Sequence, residues 1–120
     1  MNVIINQKQF NAEYMSKPEE LSKGMMGRID LDGCMVFKMG KGHHSFWMTN
    51  CLITLDIIFV SNNRLSRINH NCPVEDRHRM NQPRYTGMGN HVIEFPRGTA
   101  RDLKDVVRVI MYLSTPQNPS

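Results

Sequence analysis

A carboxylate lies inside the apolar segment LDIIFV at residues 55–60. In a β-strand, side chains alternate between the two faces, so Asp56 would share a face with Ile58 and Val60. A buried carboxylate must be ion-paired, hydrogen-bonded or protonated, because burial without a partner is costly. Asp56 could therefore have a functional role, as an acid or base with a shifted pKa or as a ligand anchor. Alternatively it has a structural role and connects the strand to Arg28 or to turn amides. We favour the structural role, because structural ion pairs also perturb carboxylates.

Trp47 and Asn50 lie shortly before this segment and could line a small-molecule pocket, since aromatic and amide groups often do so. Each also has an ordinary structural explanation. A tryptophan is often part of the core while its indole N–H finds an acceptor. An asparagine between two strands often forms an Asx-type turn.

A loop after these residues concentrates Arg77, Arg79 and Arg84 next to Tyr85. Arginines with an aromatic ring could hold phosphate and stack on a nucleic-acid base. Two neighbouring acidic residues dilute the charge, and no recognised nucleic-acid motif is present. A solvated loop is therefore the favoured interpretation, with nucleic-acid binding as a weakly supported alternative.

Metal-ligand residue types occur at His43-His44 and between His70 and His78. Structural zinc sites need four ligands, which paired spacings such as Cys-x-x-Cys usually announce. The sequence has no such pair, so we expect no metal site and no cofactor. Its three cysteines are widely spaced, which predicts reduced thiols in a cytosol-like compartment.

The chain has 120 residues and a formal net charge of +4 at pH 7. This length predicts one domain, which we assign to residues 1–113, followed by a flexible tail at 114–120. The mildly basic charge permits anionic partners without requiring them. Neither a signal peptide nor an apolar run of the ~20 residues that span a bilayer is apparent, so we expect a cytoplasmic protein without membrane contact.

Short strands dominate the local patterns, together with one helix. Ser16 and Glu19 stand in capping-box spacing, which predicts a helix over residues 16–27 with Pro18 in its first turn. A hairpin turn is expected at 61–64 and a second, short helical turn at 99–103. The predicted strands are Val3–Ile5, Cys34–Met39, Leu55–Val60, His91–Phe95 and Val106–Leu113, and the segment 71–90 is predicted to be a long polar loop. These elements favour a mainly β fold, a compact antiparallel sandwich or barrel with one capping helix.

Two adjoining motifs, FWMTN at 46–50 and LITLDIIFV at 52–60, together resemble the signature of domain-of-unknown-function family 192. The resemblance runs in order from about Met15 to Val109. Departures include Thr49, where the family usually has lysine, and Cys51, where it has threonine or a small residue. The further matching motifs are KGMMGR at 23–28, CMVF at 34–37, NCP at 71–73 and HVIEFPRGTA at 91–100.

The resemblance implies a compact, mainly β fold with one helix, and it implies no established activity. The polar and aromatic signature positions of the family correspond here to Arg28, Trp47, Asn50, Asp56 and Glu94. These five residues are therefore the candidates for one ligand-binding cluster.

Three functional hypotheses follow from the sequence. The first is a non-catalytic binding or accessory module with a patch around Trp47, Asn50 and Asp56, for a small-molecule or protein partner of open identity and with an open oligomeric state. The second is a small enzyme that uses Asp56 or Glu94 as general acid and base on a small polar substrate. The third is binding of nucleic acid or another anionic partner through the arginine loop.

Overall fold

The computed structural model of the chain describes residues 1–5, 7–76 and 78–101, and the backbone of residues 109–112. Seven strands and one helix occur in this part of the chain, so the fold is mainly β, as expected. No helix in it is long and apolar enough to cross a membrane. The elements are β1 (Asn2–Ile5), β2 (Lys8–Met15), α1 (Pro18–Lys23), β3 (Cys34–Phe46), β4 (Leu55–Ser61), β5 (Arg64–Cys72), β6 (Tyr85–Pro96) and β7 (Val109–Tyr112).

The strands form one sheet in the order β5-β4-β6-β3-β2-β1-β7. Neighbouring strands are antiparallel except for β2 and β3, which pair in parallel with Ala12 opposite Cys34. Gly33 permits this pairing, because it has a φ of +77° and a Cβ there would collide with the carbonyl oxygen of Asn11. The sheet is thus almost entirely antiparallel, with one parallel connection that carries α1.

Two apolar clusters cover the opposite faces of the sheet. Met35, Phe37, Ile57 and Phe59 belong to the cluster on the face that α1 covers. The other cluster contains Ile58 and Val60 of β4 together with Val3 and Ile5 of β1. Because β1 and β4 lie far apart in the strand order yet share this cluster, the sheet must curl into a half-barrel.

The predicted strands are present, and β1, β3, β4 and β6 are longer than expected. Two further strands, β2 and β5, were not indicated by the patterns. β3 continues seven residues beyond Met39, because its polar extension pairs with the start of β6 from Gly42–Gly89 to Phe46–Tyr85. β5 and this extension of β6 shorten the predicted loop 71–90 to residues 73–84. Of the predicted strand Val106–Leu113, only 109–112 lies within the described residues, and the predicted tail 114–120 lies outside them.

The hairpin turn at 61–64 is confirmed, since Asn62 and Asn63 have φ values of +49° and +64°. The helix is shorter than predicted, with six residues. The backbone amides of Ser16 and Lys17, which precede it, donate to the side chain of Glu20 and not to that of Glu19. At 96–101 the backbone forms consecutive turns, in which Thr99 N–H donates to Pro96 and Arg101 N–H donates to Gly98. The end of the predicted second helical turn lies outside the described residues.

Candidate functional site

A cavity of about 270 Å³ lies between α1 and the face of the sheet that it covers. Its volume is slightly below the range of about 300–1,000 Å³ typical of ligand pockets, which suits a small metabolite. About half of the lining residues are apolar or aromatic. The lining residues are 21–26 from α1 and the turn after it, Phe37, Met39, His44, Ser45 and Phe46 from β3, Trp47, Thr49 and Cys51 from the following loop, and Arg84 and Glu94.

Glu94 is the buried polar group of this cavity. It lies on β6 between Met35 of β3 and Ile57 of β4, and it is only 4% exposed. Its Oε1 has no hydrogen-bond partner among the described residues. Burial raises the pKa of Glu94 to about 8, so the carboxyl group is mostly protonated at neutral pH. A neutral carboxyl can donate one hydrogen bond and accept others, which makes Glu94 a ready anchor for a ligand.

Trp47 and Arg84 form an exposed wall of the same cavity. The guanidinium carbon of Arg84 lies 4.1 Å from the centroid of the Trp47 ring, a cation–π geometry, and Trp47 remains 44% exposed. Isolated β-bridges from Met26 to Cys51 and from Thr49 to Glu75 fix the loop that carries Trp47. The stacked pair also borders a second cavity of about 220 Å³, which Arg79, Asn81 and Gln82 complete.

The thiol of Cys51 lines the cavity close to Glu94. Burial, with a smaller contribution from the nearby Glu94 carboxyl, raises the pKa of Cys51 to about 12. The thiol therefore stays protonated at neutral pH and is a poor nucleophile. The imidazole of His44, which also faces the cavity, makes a hydrogen-bond contact with the Gly40 carbonyl oxygen.

Asp56 has a structural environment on the opposite face of the sheet. It is 0% exposed, and its carboxylate accepts hydrogen bonds from three backbone amides. Asn71 N–H donates to Oδ1 at 2.9 Å, while Gly98 N–H and Ala100 N–H donate to Oδ2 at 3.0 and 3.1 Å. Asp56 shares its face with Ile58 and Val60, as the alternation predicts, and it joins β4 to the end of β5 and to the turns after β6.

Of the two partners considered for Asp56, backbone amides bind it and Arg28 does not. Arg28 instead donates two hydrogen bonds to the carboxylate of Glu13 on β2, at 2.7 and 2.8 Å. The reason is that three backbone amides already satisfy Asp56. The hydrogen bond with Arg28 lowers the pKa of Glu13.

Asn50 has a φ of +61°, and its carbonyl oxygen accepts a hydrogen bond from Gly27 N–H. Its position in a turn matches the structural interpretation of this residue. Of the five signature residues, the structure thus brings Trp47 and Glu94 into one cavity, and it places Arg28, Asn50 and Asp56 outside the cavity lining.

The arginines named as nucleic-acid candidates have different environments. Arg79 forms an ion pair with Glu75 at 2.5 Å, which neutralises part of the loop charge. Arg84 stacks on Trp47, so its clearest contact is with the cavity and not with the loop. Tyr85 is half-buried at the start of β6, and burial raises its pKa. Arg77 lies outside the described residues.

No three His, Cys, Asp or Glu side chains within the described ranges are grouped so that they could hold a metal ion. The residues suited to hold an organic ligand are those of the α1–sheet cavity. The sequence patterns did not connect Arg84, His44 or Cys51 with Glu94, because these residues come from distant segments that only the sheet brings together.

The family model of DUF192, described as an uncharacterized ACR, matches residues 1–107 of the chain. The chain belongs to the DUF192 family. This match confirms the resemblance that the motifs carry. Comparison with curated protein sequences yields no match.

Two solved structures share the fold of this DUF192 chain. A protein of unknown function from Novosphingobium aromaticivorans DSM 12444 is 28% identical, with a TM-score of 0.80, over 92% of this chain and 84% of that one. A protein from Sinorhizobium meliloti 1021, described as a candidate transcription regulator, is 20% identical, with a TM-score of 0.77, over 91% of this chain and 89% of that one. Both support the mainly β DUF192 fold, and the second likeness concerns the fold alone.

Proposed function

We propose that this protein is a small-molecule binding module whose site is the cavity between α1 and the sheet. The observation that carries the proposal is the buried Glu94 carboxyl, which lines the cavity with an oxygen that has no partner among the described residues. A buried polar atom without a hydrogen bond is costly, and a ligand that supplied the missing bond would remove this cost. The proposed site keeps Trp47 and Glu94 from the ligand-binding candidates and adds Arg84, which the sequence offered as a nucleic-acid candidate.

A non-catalytic role is favoured over catalysis by the groups around Glu94. Covalent catalysis would also need an activated nucleophile. The Cys51 thiol stays protonated, since its pKa is raised to about 12. The second candidate, an enzyme with Glu94 as general acid, draws support from the pKa of about 8, which lies near an ordinary working pH. Asp56 is a weaker acid–base candidate, because it is fully buried and bound to three amides.

Binding of nucleic acid through Arg79, Arg84 and Tyr85 is a third candidate. The small cavity that Trp47, Arg79 and Arg84 border could accept a phosphate or a base. The description of the Sinorhizobium meliloti protein as a candidate transcription regulator is compatible with this idea. Binding of this kind would weaken steeply with added salt, because phosphate contacts release counterions. An affinity for short oligonucleotides that did not change with salt would exclude it.

We also infer a cytoplasmic location. The support for it is that Cys34, Cys51 and Cys72 are all buried free thiols, as is usual in a reducing compartment.

A thermal-shift screen of small organic acids, amines, sugars and nucleotides tests the binding proposal. A ligand present at about 100 times its dissociation constant adds ~2.7 kcal/mol to the free energy of unfolding, which raises the melting temperature measurably. Cys51→Met would fill the cavity next to Glu94 and should abolish the shift, whereas Cys51→Ala leaves the space open and should preserve it. Shifts of equal size in both variants would place the ligand elsewhere and contradict the proposal.

A further inference from the structure

We propose that the ligand of the α1–sheet cavity is a small amphipathic organic anion, whose carboxylate lies at Arg84 and Lys23 and whose body carries a hydrogen-bond acceptor that meets Glu94. This inference rests on the proposed function and specifies the chemical class that the site would select. Three observations carry it, namely the charges at the cavity mouth, the apolar walls and the unpartnered carboxyl at the buried end.

The mouth of the cavity is positively charged. Arg84 and Lys23 are exposed lining residues. In the described part of the chain the ion pairs are Arg28–Glu13 and Arg79–Glu75, so neither mouth cation has a carboxylate partner there. Charges of one sign around a cleft with low-dielectric walls concentrate ions of the opposite sign. The mouth therefore favours an anion and disfavours a cation.

Apolar side chains form a large part of the cavity lining. Met25 and Phe37 are 2% and 1% exposed, and Met39 and Phe46 pack against the same cluster. A fully hydrated inorganic anion would gain nothing from this surface. A chain or ring of several carbon atoms would bury apolar area against it, at about 25 cal/mol per Å². The flexible thioethers can adapt to the shape of that body.

The buried end supplies a hydrogen bond. Oε1 of Glu94 lacks a partner within the described residues, and burial keeps the carboxyl protonated up to about pH 8. A protonated carboxyl donates to a carbonyl or hydroxyl oxygen. A ligand acceptor at this end would satisfy the buried group without introducing a second charge into the cavity.

The groups that surround Glu94 do not offer a competing explanation for a pH effect near 8. Burial raises the pKa of Cys51 and of Cys72 to about 12, so both thiols stay neutral. On β4, Asp56 points to the opposite face of the sheet. Lys23 from α1 and Arg84 before β6 supply the mouth charges, and His44 on β3 is the imidazole that faces the cavity.

The test uses four seven-carbon probes on the full chain, with binding measured by calorimetry. 6-Oxoheptanoate carries both proposed groups, a carboxylate and a carbonyl acceptor, and heptanoate lacks the acceptor. 6-Oxoheptanamide lacks the negative charge, and 7-aminoheptan-2-one carries a positive charge in its place. We expect 6-oxoheptanoate to bind at least tenfold more tightly than each of the other three. Arg84→Gln should weaken the binding of 6-oxoheptanoate at least tenfold. Arg67→Gln makes an equal charge change on β5 outside the cavity and should leave this affinity unchanged.

The pH dependence provides an independent readout. Affinity for 6-oxoheptanoate should fall by up to tenfold per pH unit above about pH 8, because only protonated Glu94 donates. Glu94→Gln keeps an N–H donor, so its affinity should not decrease above pH 8. His44→Asn should show the same decrease as the wild type. Tighter binding of the amine, with affinity that rises through pH 8, would overturn the anion assignment while leaving the cavity a binding site. If none of the four probes and no compound of the wider screen bound, the proposed function itself would fail.

Discussion

Two buried carboxyl groups on neighbouring strands have opposite environments. Asp56 of β4 faces one side of the sheet and accepts three backbone amide hydrogen bonds at 2.9–3.1 Å. Glu94 of β6 faces the other side, where one oxygen finds no partner among the described residues and where a cavity begins. Burial is similar, since the two residues are 0% and 4% exposed. Their hydrogen-bond partners, and not their burial, distinguish a structural carboxylate from a candidate ligand site.

This comparison explains why Asp56, the more conspicuous residue of the sequence, is the weaker functional candidate. Each of its oxygens already has a donor, so a ligand would have to displace backbone contacts that join three segments of the chain. Glu94 has a free oxygen and an adjoining space. A satisfied buried group stabilises one conformation, whereas an unsatisfied one calls for an explanation such as a functional role or a bound water or ion.

The largest predicted effect is that of Asp56→Asn. An amide N–H₂ would face one or two of the three backbone N–H groups, which would lose an acceptor in a buried place. We expect a loss of about 4 kcal/mol in the free energy of unfolding, measured by urea denaturation. Asp76→Asn is the matched control, because Asp76 is exposed and accepts one amide bond from His78, and it should cost less than about 1 kcal/mol. Equal losses in both variants would contradict the structural role of Asp56.

The second prediction concerns the pH dependence that Glu94 imposes on stability. Its pKa is about 8 in the folded protein against 4.5 for the unperturbed group. Between these pH values Glu94 holds a proton in the folded state that it has lost in the unfolded state. Its contribution to the free energy of unfolding therefore falls as pH rises, by up to about 1.4 kcal/mol per pH unit. Glu94→Gln removes this term, so its stability relative to wild type should increase from about pH 5 to pH 8.

Urea unfolding of both proteins at several pH values measures this difference. Glu75→Gln is a useful control, since Glu75 is buried to a similar extent but forms an ion pair with Arg79. A wild-type minus Glu94→Gln difference that stayed constant from pH 5 to 8 would mean that Glu94 is not protonated in the folded protein.

The smallest predicted effect is that of Arg28→Gln. The side chains of Arg28 and Glu13 are 30% and 40% exposed, so water screens their ion pair. We expect a loss of less than about 1 kcal/mol at neutral pH. The pKa of Glu13 is lowered in the folded protein. The ion pair therefore stabilises the fold at pH values above the ordinary carboxyl pKa, and this stabilisation is lost as the pH falls below that value. A loss as large as that of Asp56→Asn would contradict the small contribution expected of this solvent-screened ion pair.

The sequence allowed the fold class and the face of Asp56 to be predicted, because both depend on local patterns. Alternation in residues 55–60 places Asp56 with Ile58 and Val60, and the pair Asn62-Asn63 specifies the hairpin that follows. The family motifs also support the prediction of the fold class. Such features depend on neighbours within a few residues, which a single sequence displays.

The partners of the two carboxyl groups could not be predicted in the same way. Asp56 is bound by amides 15, 42 and 44 residues away in the chain. The cavity at Glu94 combines α1, β3, a loop and Arg84, which the sheet order brings together. The sequence offers Arg84 as a nucleic-acid candidate because Arg77 and Arg79 lie in the same segment, and it does not reveal the contact of Arg84 with the Trp47 ring.

The most direct test of the central claim is a titration of Glu94 by ¹³C NMR, with carboxyl-labelled glutamate in the wild-type protein. Comparison with Glu94→Gln identifies the resonance of this residue. We predict that its midpoint lies near pH 8 and that 6-oxoheptanoate perturbs it more than any other glutamate signal. A midpoint near the ordinary value of 4.5, unchanged by the ligand, would show that Glu94 is a solvated carboxylate and would contradict the distinction between the two buried groups.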